Sequence, residues 1–569
     1  MKRCPECRRD YYDDTLLYCL DDGNALLEGP ASASSDDEPA TAILHETAPP
    51  SEAKTRAQIN TTGQTAILPS GITDTPTRGF DKRLLAIPLL LVIIVFGCFF
   101  GYRYLKSTTS EQIRSIAVLP FQNKSGDADS EYLSDGLAES LIYRLSQIPE
   151  FKVSPRSSVF RYKGQDVDAE KVGADLGVDA VMSGRMVQRG DNLTISVDLV
   201  DVRNKKTLWG EQFERKMSDL LATQREIAAS ITEKLQLKLG GNDAKGITKK
   251  YTDNNEAYQA YLKGRYYWNR RTAENLKKAI EQFKVATDKD PNFALAYVGL
   301  ADCYVLLPEY AGIPSSETLQ QTKTYAERAI AIDDQLAEPH ASLGQLNLQL
   351  WQWAESEREY KRAIELNPNY ATSYHWYSHL LRSLGRFDEA AVIIKRGHEL
   401  DPLSSIISVN LSEIYLLQND TNASIENTLK IIELDPNFSE AYRGLGQAYL
   451  RLGRTAEAIT NFEKGVELSN RGGTALMTLG YGYGVAGKRI EAISIAKELE
   501  EKYARRESKG MYVAGVYAGL GDKDKAFEWL EKAFQNKEDL GFVRWRIHYA
   551  PLRDDPRYKD LLKRMNLPE

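Results

Sequence analysis

Cysteine is scarce in this sequence, with five in 569 residues. A disulfide framework is excluded, because three of the five lie within the first 19 residues and Cys98 and Cys303 stand alone. A strong excess of one charge is also missing: the net charge is −7, and the basic residues are dispersed rather than gathered into a stripe. Nucleic acid is therefore not expected as the partner of most of the chain.

Catalytic signatures are missing too. The glycine-rich, HRD and DFG motifs of kinases do not occur. His375 and His379 are spaced like metal ligands on a helix, but HWYSH lacks the glutamate that follows the first histidine in zinc proteases, and no third ligand is apparent. A polar lining is the favoured interpretation of this pair. We therefore expect no enzymatic activity.

The sequence does contain one long apolar run, at 84–102, whose nineteen residues carry no charge. At ~1.5 Å per residue a helix of this length reaches ~28 Å, close to the hydrocarbon thickness of a bilayer. This predicts a transmembrane helix rather than a buried core helix, and the 83 residues before it argue against a signal peptide. Basic residues flank both ends, so the positive-inside rule does not decide the orientation.

The orientation is inferred instead from the N-terminal cysteines, which a reducing compartment keeps as thiols. We expect a single-pass protein of the inner (cytoplasmic) membrane, with the N-terminus in the cytoplasm and the C-terminal domains periplasmic or otherwise extracytoplasmic. Residues 30–80 are rich in Ala, Ser, Thr, Pro and acidic residues and poor in large apolar side chains. That composition predicts a disordered linker.

The N-terminal cysteines have the spacing Cys-x2-Cys-x11-Cys-x2-Asp. This resembles the zinc-ribbon knuckle pair of bacterial proteins, except that an aspartate replaces the fourth cysteine. Because a carboxylate binds zinc at ~2.0–2.2 Å, residues 1–29 either hold a structural zinc ion or form a degenerate ribbon that has lost its metal. The candidate ligands are Cys4, Cys7, Cys19 and Asp22.

Residues 112–240 alternate between strand and helix patterns. SIAVLPF at 115–121 is a short β-branched and apolar run, and apolar residues at helical spacing follow it over 130–148. Alternating runs separated by RGDN and RNKK then predict an antiparallel meander, and a helix over 217–239 ends the unit. In blocks such as IAVLPFQNKSGDADSEYLSDGLAESLIYRLS the region resembles the amino-terminal TolB-like domain of bacterial membrane proteins. The resemblance implies a small α/β module used for protein contact rather than catalysis.

A period of 34 residues dominates the second half of the chain. Pro368, Pro402 and Pro436 follow one another at this spacing, in ELNPNY, ELDPLS and ELDPNF. Small residues occupy the helix–helix contact in the same frame: Gly344, Ser378, Ser412, Gly446 and Gly480. The pattern resembles the tetratricopeptide repeat (TPR), and residues 255–540 accommodate about eight units, followed by a C-terminal cap over 541–569.

The expected fold class is mainly α: an α-solenoid of TPR helix pairs, preceded by a small α/β TolB-like domain, a single transmembrane helix and a zinc-ribbon-like N-terminus. The first helix of each pair lines the inner wall of such a superhelix. Counting around those helices gives the candidate protein-binding residues of the concave face: Gln345, His375, His379, Arg382, Glu413, Arg443, Gln447 and Tyr481.

These features predict a membrane-anchored scaffold that binds partner proteins or peptides in the TPR groove, with no small-molecule substrate evident. The alternative is a transmembrane signalling or transcriptional regulator that resembles CadC-type receptors, with the N-terminal ribbon as its cytoplasmic output. The chain departs from those receptors, because no winged-helix segment precedes the apolar run.

Overall fold

The computed structural model describes residues 113–127, 130–148, 150–237 and 246–567, and the backbone of three short strands near the N-terminus. The chain divides into two units, residues 1–100 and 101–569. In the first unit β1 (Lys2–Arg3) pairs antiparallel with both β2 (Asp10–Tyr11) and β3 (Leu27–Glu28). The predicted linker, the apolar run at 84–102 and the four candidate zinc ligands lie outside the described residues.

The expected localisation, in which the chain spans the inner membrane once, is corrected by the structure. Across the described residues, none of the helices combines the length and the apolar character that crossing a membrane requires. The expectation came from the composition of residues 84–102, and composition alone does not establish the helix of about 20 apolar residues that a span requires.

A mixed sheet is the centre of residues 113–237. Its strands are β4 (Ser115–Val118), β5 (Gln122–Asn123), β6 (Lys152–Val153), β7 (Ala180–Arg189), β8 (Asn192–Asp201) and β9 (Lys206–Lys216). The strand order is β6-β4-β7-β8-β9, with β5 also paired to β7. β4 runs parallel to β6 and β7, whereas β7, β8 and β9 form the antiparallel meander that the alternating runs predict.

Among the described residues, four helices belong to the same module as this sheet. They are α1 (Glu131–Ser146), α2 (Arg156–Val159), α3 (Ala169–Leu176) and α4 (Leu220–Lys234). Every second residue of β8, from Leu193 to Leu199, is buried in a core shared with α1 and α4, as expected of a strand with one buried face. α3 ends at Gly177, whose left-handed φ of +59° is a conformation that glycine adopts without strain.

Residues 255–535 form eight consecutive helix pairs. The first four pairs are α5 (Asn255–Trp268) with α6 (Ala273–Lys289), α7 (Ala294–Tyr310) with α8 (Ser315–Ile332), α9 (Glu338–Gln349) with α10 (Trp353–Leu366), and α11 (Ala371–Ser383) with α12 (Phe387–Leu400). The last four are α13 (Ser405–Leu417) with α14 (Thr421–Leu434), α15 (Ser439–Arg451) with α16 (Thr455–Leu468), α17 (Gly473–Val485) with α18 (Arg489–Ala504), and α19 (Gly510–Gly519) with α20 (Lys523–Gln535).

The small residues of the 34-residue frame lie where the two helices of a pair touch. A Cβ added to Gly344 would stand 2.7 Å from the ring of Tyr360 in the partner helix, and one added to Gly446 would meet the ring of Phe462. Ser412 lies at the same place in its pair and hydrogen-bonds Thr428 across the contact (3.0 Å). The frame therefore corresponds to helix pairs that approach too closely for larger side chains.

The chain ends in two 3₁₀ turns, Leu540–Arg544 and Ile547–Leu552, and helix α21 (Pro556–Arg564). α21 packs on α20, where Arg564 pairs with Glu531 (2.8 Å) and lies over the ring of Phe534 (4.0 Å). The two 3₁₀ turns do not follow α21. They contact α9, α11 and α19, which are first helices of their pairs. This part of the C-terminal segment therefore lies along the inner wall of the superhelix.

The last repeats also touch the second and third repeats, so that the superhelix closes on itself. The ring of Trp351 stacks on that of Phe534 at 4.6 Å. Lys509 pairs with Glu309 at 2.7 Å, which joins the start of α19 to the end of α7. The closure encloses the space inside the superhelix.

Candidate binding cavity

A cavity of about 1230 Å³ lies inside the superhelix. Its wall is formed by first helices of the repeats, by α1 of the α/β module at one end and by the C-terminal segment. The wall carries charges of both signs and many aromatic rings. Two polar groups on it differ in how far their hydrogen-bonding atoms are satisfied.

The first group, the arginine network, consists of Arg382, Glu413, Arg443, Asn410, His375 and His379. Arg382 donates to Oε2 of Glu413 (2.6 Å) and to Oδ1 of Asn410 (2.6 Å). The other carboxylate oxygen of Glu413 lies 2.8 Å from Arg443. Nε of each arginine has no hydrogen-bond partner, but the guanidinium of Arg382 lies over the ring of Trp545 at 4.3 Å.

Burial and the arginines of this network determine which of its side chains are charged. Burial alone would raise the pKa of Glu413, but Arg443 and Arg382 lower it to about 2. Burial, with Arg382 adding to it, lowers the pKa of His375 to about 3 and that of His379 well below its usual value. Both rings are therefore neutral at pH 7. His379 donates to Oδ1 of Asn410 (2.9 Å), and Nδ2 of Asn410 donates to His375 (3.1 Å).

Six of the eight residues predicted on the concave face come together here. Five belong to the arginine network, and Gln447 extends it by accepting from Arg443 at 3.4 Å. Gln345 lies apart and accepts from the hydroxyl of Tyr360 (3.0 Å), and Tyr481 is covered by the ring of His548 at 5.0 Å. The role of these residues in protein binding stays a prediction.

The C-terminal segment occupies part of the groove in which a partner peptide was expected. The ring of Phe542 contacts that of His379 (6.0 Å), and Trp545 lies against the arginine network. Gly541 approaches Ser383 so closely that a Cβ would stand 2.6 Å from the serine Oγ. The sequence carries no signal for this arrangement, because each contact joins residues far apart in the chain.

The other end of the cavity lies where α1 meets the first three repeats. Glu139 of α1 is held by Arg265 (2.6 Å), Arg156 (3.2 Å) and the amide of Asn269 (2.8 Å). Opposing charges and hydrogen bonds from these groups lower the pKa of Glu139, although burial by itself would raise it. Helix α1 is therefore fastened to the first repeat by a half-buried acid that the repeat pattern does not include.

The second polar group, the junction pocket, lies beside Glu139 and consists of Glu338, Tyr143, Tyr251, Tyr261 and Tyr370. Glu338 begins α9 and is 8% exposed, and among the described residues its Oε2 finds no hydrogen-bond partner. Burial is the main cause that raises its pKa to about 7, and Asp302 adds to the effect. In the sequence this residue looks like an ordinary acid in the first turn of a helix, so nothing singled it out.

No group of three or more His, Cys, Asp or Glu suited to a metal ion occurs in the described part of the chain. His375 and His379 both bond Asn410, and their interpretation as a polar lining stays a prediction. Cys4, Cys7, Cys19 and Asp22 lie outside the described residues, and zinc binding by them stays a prediction.

Comparison with known families gives matches in both parts of the second unit. Residues 111–230 match the second domain of HilA/YgeH-like transcriptional regulators. Residues 359–391 and 428–460 each match a tetratricopeptide repeat, so the predicted repeat is confirmed. The TolB-like resemblance of residues 112–240 stays a prediction.

The matches to individual curated proteins cover only part of this chain and part of each relative. Putative adenylate cyclase 3 from Rhizobium meliloti (strain 1021) is 29% identical over 232 residues, which are 40% of this chain and 39% of that protein. Transcriptional regulator HilA from Salmonella typhimurium is 24% identical over 294 residues, 51% of each chain. The matches thus span about two fifths to one half of these curated relatives. A solved structure of pilF from Pseudomonas aeruginosa is 19% identical, with 37% of this chain and 94% of that one covered and a TM-score of 0.29.

Proposed function

We propose that this chain is a non-enzymatic scaffold that binds a segment of a partner protein inside its TPR superhelix. The observation that carries the proposal is the cavity of about 1230 Å³ on the concave side of confirmed TPR units. Small-molecule sites typically measure about 300–1,000 Å³, so this space favours a stretch of polypeptide. The α/β module forms one end of the cavity and would contribute to the same partner.

The exposed part of the cavity wall suggests where a partner segment would enter. Ile406, near the start of α13, lines the cavity and is 42% exposed. Exposed apolar side chains beside a groove are the usual anchors for a bound peptide. By contrast, both carboxylate oxygens of Glu413 are bonded inside the arginine network, and Trp545 of the C-terminal segment lies over Arg382, so the network supports the wall.

The test compares the affinity of peptides for a chain with a blocked cavity and for the parent chain. Peptides selected from a random library on the full chain should lose at least tenfold in affinity for Ile406→Trp, whose indole would fill the opening. Val392→Trp is the matched control, since Val392 is 68% exposed on α12 and does not line the cavity. Peptides that bind Ile406→Trp as tightly as the parent chain would contradict the proposal.

A second candidate function is transcriptional regulation, with the N-terminal ribbon as the output segment. It is favoured by the match of residues 111–230 to a domain of transcriptional regulators and by the similarity to HilA. Cys4, Cys7, Cys19 and Asp22 would then hold a structural zinc ion. Zinc content of the parent chain and of Cys4→Ala, combined with a DNA mobility shift on both, tests this candidate. A parent chain without zinc and without a shift would exclude it.

A further inference from the structure

The junction pocket contains a buried acid, Glu338, one of whose carboxylate oxygens has no hydrogen bond in the described part of the chain. Oε2 of Glu338 is buried and accepts no hydrogen bond, and the residue lines the cavity. Protonation would not satisfy this oxygen, because the resulting O–H would need an acceptor, and none is bonded to it. Buried polar atoms without a partner are rare in native proteins, and each one calls for an occupant or a cause.

The cations around the junction pocket bond other groups, although Nε of Arg144 has no hydrogen-bond partner in the described part of the chain. Arg265 is held by Glu139 (2.6 Å), and Lys249 by Asp333 (2.6 Å). Arg144 donates to the backbone carbonyls of residues 247 and 249, at 2.8 and 2.9 Å. The neighbouring acid, Asp302, accepts from Ser342 (2.7 Å) and lies 3.8 Å from Arg265. In the described part of the chain, Oε2 of Glu338 is thus left without a hydrogen-bond partner.

The rest of the pocket is aromatic. Tyr143, Tyr251, Tyr261 and Tyr370 line the cavity together with Glu338. Burial raises the pKa of each tyrosine, and the charge on Glu338 adds to each shift. Arg144 and Lys249 lie over the ring of Tyr251, at 5.1 and 5.7 Å. In the described part of the chain, the rings of Tyr143, Tyr261 and Tyr370 have no such cation.

We infer that the junction pocket binds an organic cation, an alkylammonium or guanidinium group, with its charge on Glu338 and its alkyl part against the tyrosine rings. A carboxylate together with aromatic faces is a combination that favours cations, because the ring quadrupole and the acid attract the same charge. A free anion would be repelled by the charge of Glu338, and a neutral donor would bond Oε2 without neutralising that charge. The inference is independent of the proposed function, since it concerns a single cationic group.

Such a cation has two sources, a lysine or arginine side chain of a partner and a free small amine. The probes are therefore n-butylamine, which is an ammonium ion at pH 7, its neutral counterpart n-butanol, and N-acetyl-lysine methylamide, which presents the same chain from a peptide backbone. Titration calorimetry on the full chain should detect both ammonium probes and at least tenfold weaker binding of n-butanol. Tighter binding of the lysine derivative than of n-butylamine assigns the source to a partner protein, and the reverse order assigns it to a free amine.

Glu338→Gln should weaken the binding of n-butylamine at least tenfold. Glu440→Gln is the control, because Glu440 lines the cavity on α15, outside the junction pocket, and should leave binding within twofold. Circular dichroism confirms that both variants are folded, and the comparison of n-butylamine with n-butanol on the parent chain stands even if Glu338→Gln does not fold. Equal binding of amine and alcohol, no binding of either ammonium probe, or an unchanged affinity in folded Glu338→Gln would overturn the inference.

Discussion

Each end of the cavity contains a buried acid, and the pKa values of the two acids are shifted in opposite directions. At the arginine network one acid, Glu413, is bonded by two arginines, and its pKa is lowered to about 2 despite burial. At the junction pocket one acid, Glu338, has an oxygen without a hydrogen bond in the described part of the chain, and burial raises its pKa to about 7. Both acids are buried, so burial does not explain the difference. The number of committed partners does.

The difference separates a structural group from one suited to a ligand. A buried carboxylate whose two oxygens are both bonded, as in Glu413, keeps neighbouring helices in register and has little capacity left to accept a further donor. Glu338 has that capacity. Charged residues on a concave face are therefore informative about binding only after their internal bonds have been counted, and the predictions below test that distinction.

The largest expected effect is the loss of the acid from the arginine network. Glu413→Ala leaves Arg382 and Arg443 buried without a counter-charge, and removing one partner of a buried pair costs about 3–5 kcal/mol. Urea denaturation should show this decrease in the free energy of unfolding. Glu426→Ala, which removes an exposed i,i+4 pair with Lys430, is the control and should leave the value unchanged within error. Equal effects of the two variants would show that the network is not structural.

The second effect has the opposite sign and depends on pH. Because the folded chain holds the proton of Glu338 up to about pH 7, whereas the unfolded chain releases it near pH 4.5, stability falls as pH rises between these values. Glu338→Gln removes this penalty, so the variant should be more stable than the parent by on the order of 1–3 kcal/mol at pH 8. The gain should vanish below pH 4.5. Denaturation curves at pH 4 and pH 8 that show the same difference would contradict the unpaired state of this acid.

The helix face on which the residues of the arginine network lie was predictable from the sequence. The junction pocket was not. The 34-residue period converts directly into helix pairs, so a position within the period gives the face on which a residue lies. His375, Arg382 and Glu413 follow from that rule alone. It could not show that these residues bond one another, because bonding depends on side-chain geometry across neighbouring repeats.

The junction pocket depends on contacts between regions that share no pattern. Tyr143 belongs to α1 of the α/β module, whereas Glu338 begins the first helix of the third repeat. No periodicity relates the two, and only the packing of α1 against α5 brings them to one cavity. The entry of the C-terminal segment into the groove was missed for the same reason. Repeats encode their nearest neighbours, while closure of a superhelix is a long-range property.

A third prediction concerns the helix that supplies Arg443 and Gln447 to the arginine network. Within α15, Gly446 faces the ring of Phe462, and its added Cβ would stand 2.9 Å from the carbonyl of Ala458, so Gly446→Ala should lower the free energy of unfolding by about 1–3 kcal/mol. Gly444→Ala is a control in the same helix, because its nearest neighbour would be at an ordinary 3.5 Å and alanine favours helices. Chemical denaturation distinguishes the two. A loss of stability in Gly444→Ala as large as that in Gly446→Ala would contradict the close helix contact.

The smallest effect tests whether the C-terminal segment is a fixed part of the wall beside the arginine network. The hydroxyl of Tyr549 donates to the carbonyl of Met511 at 2.9 Å in a buried position, so Tyr549→Phe should cost about 1 kcal/mol by chemical denaturation. Tyr442→Phe removes a bond of the same length and type, to the carbonyl of Pro436, at an exposed position, and should cost less. If the two losses were equal, the segment would be exchanging with solvent. The groove would then be open to a partner along its full length, and the contrast between a closed and an open end of the cavity would not hold.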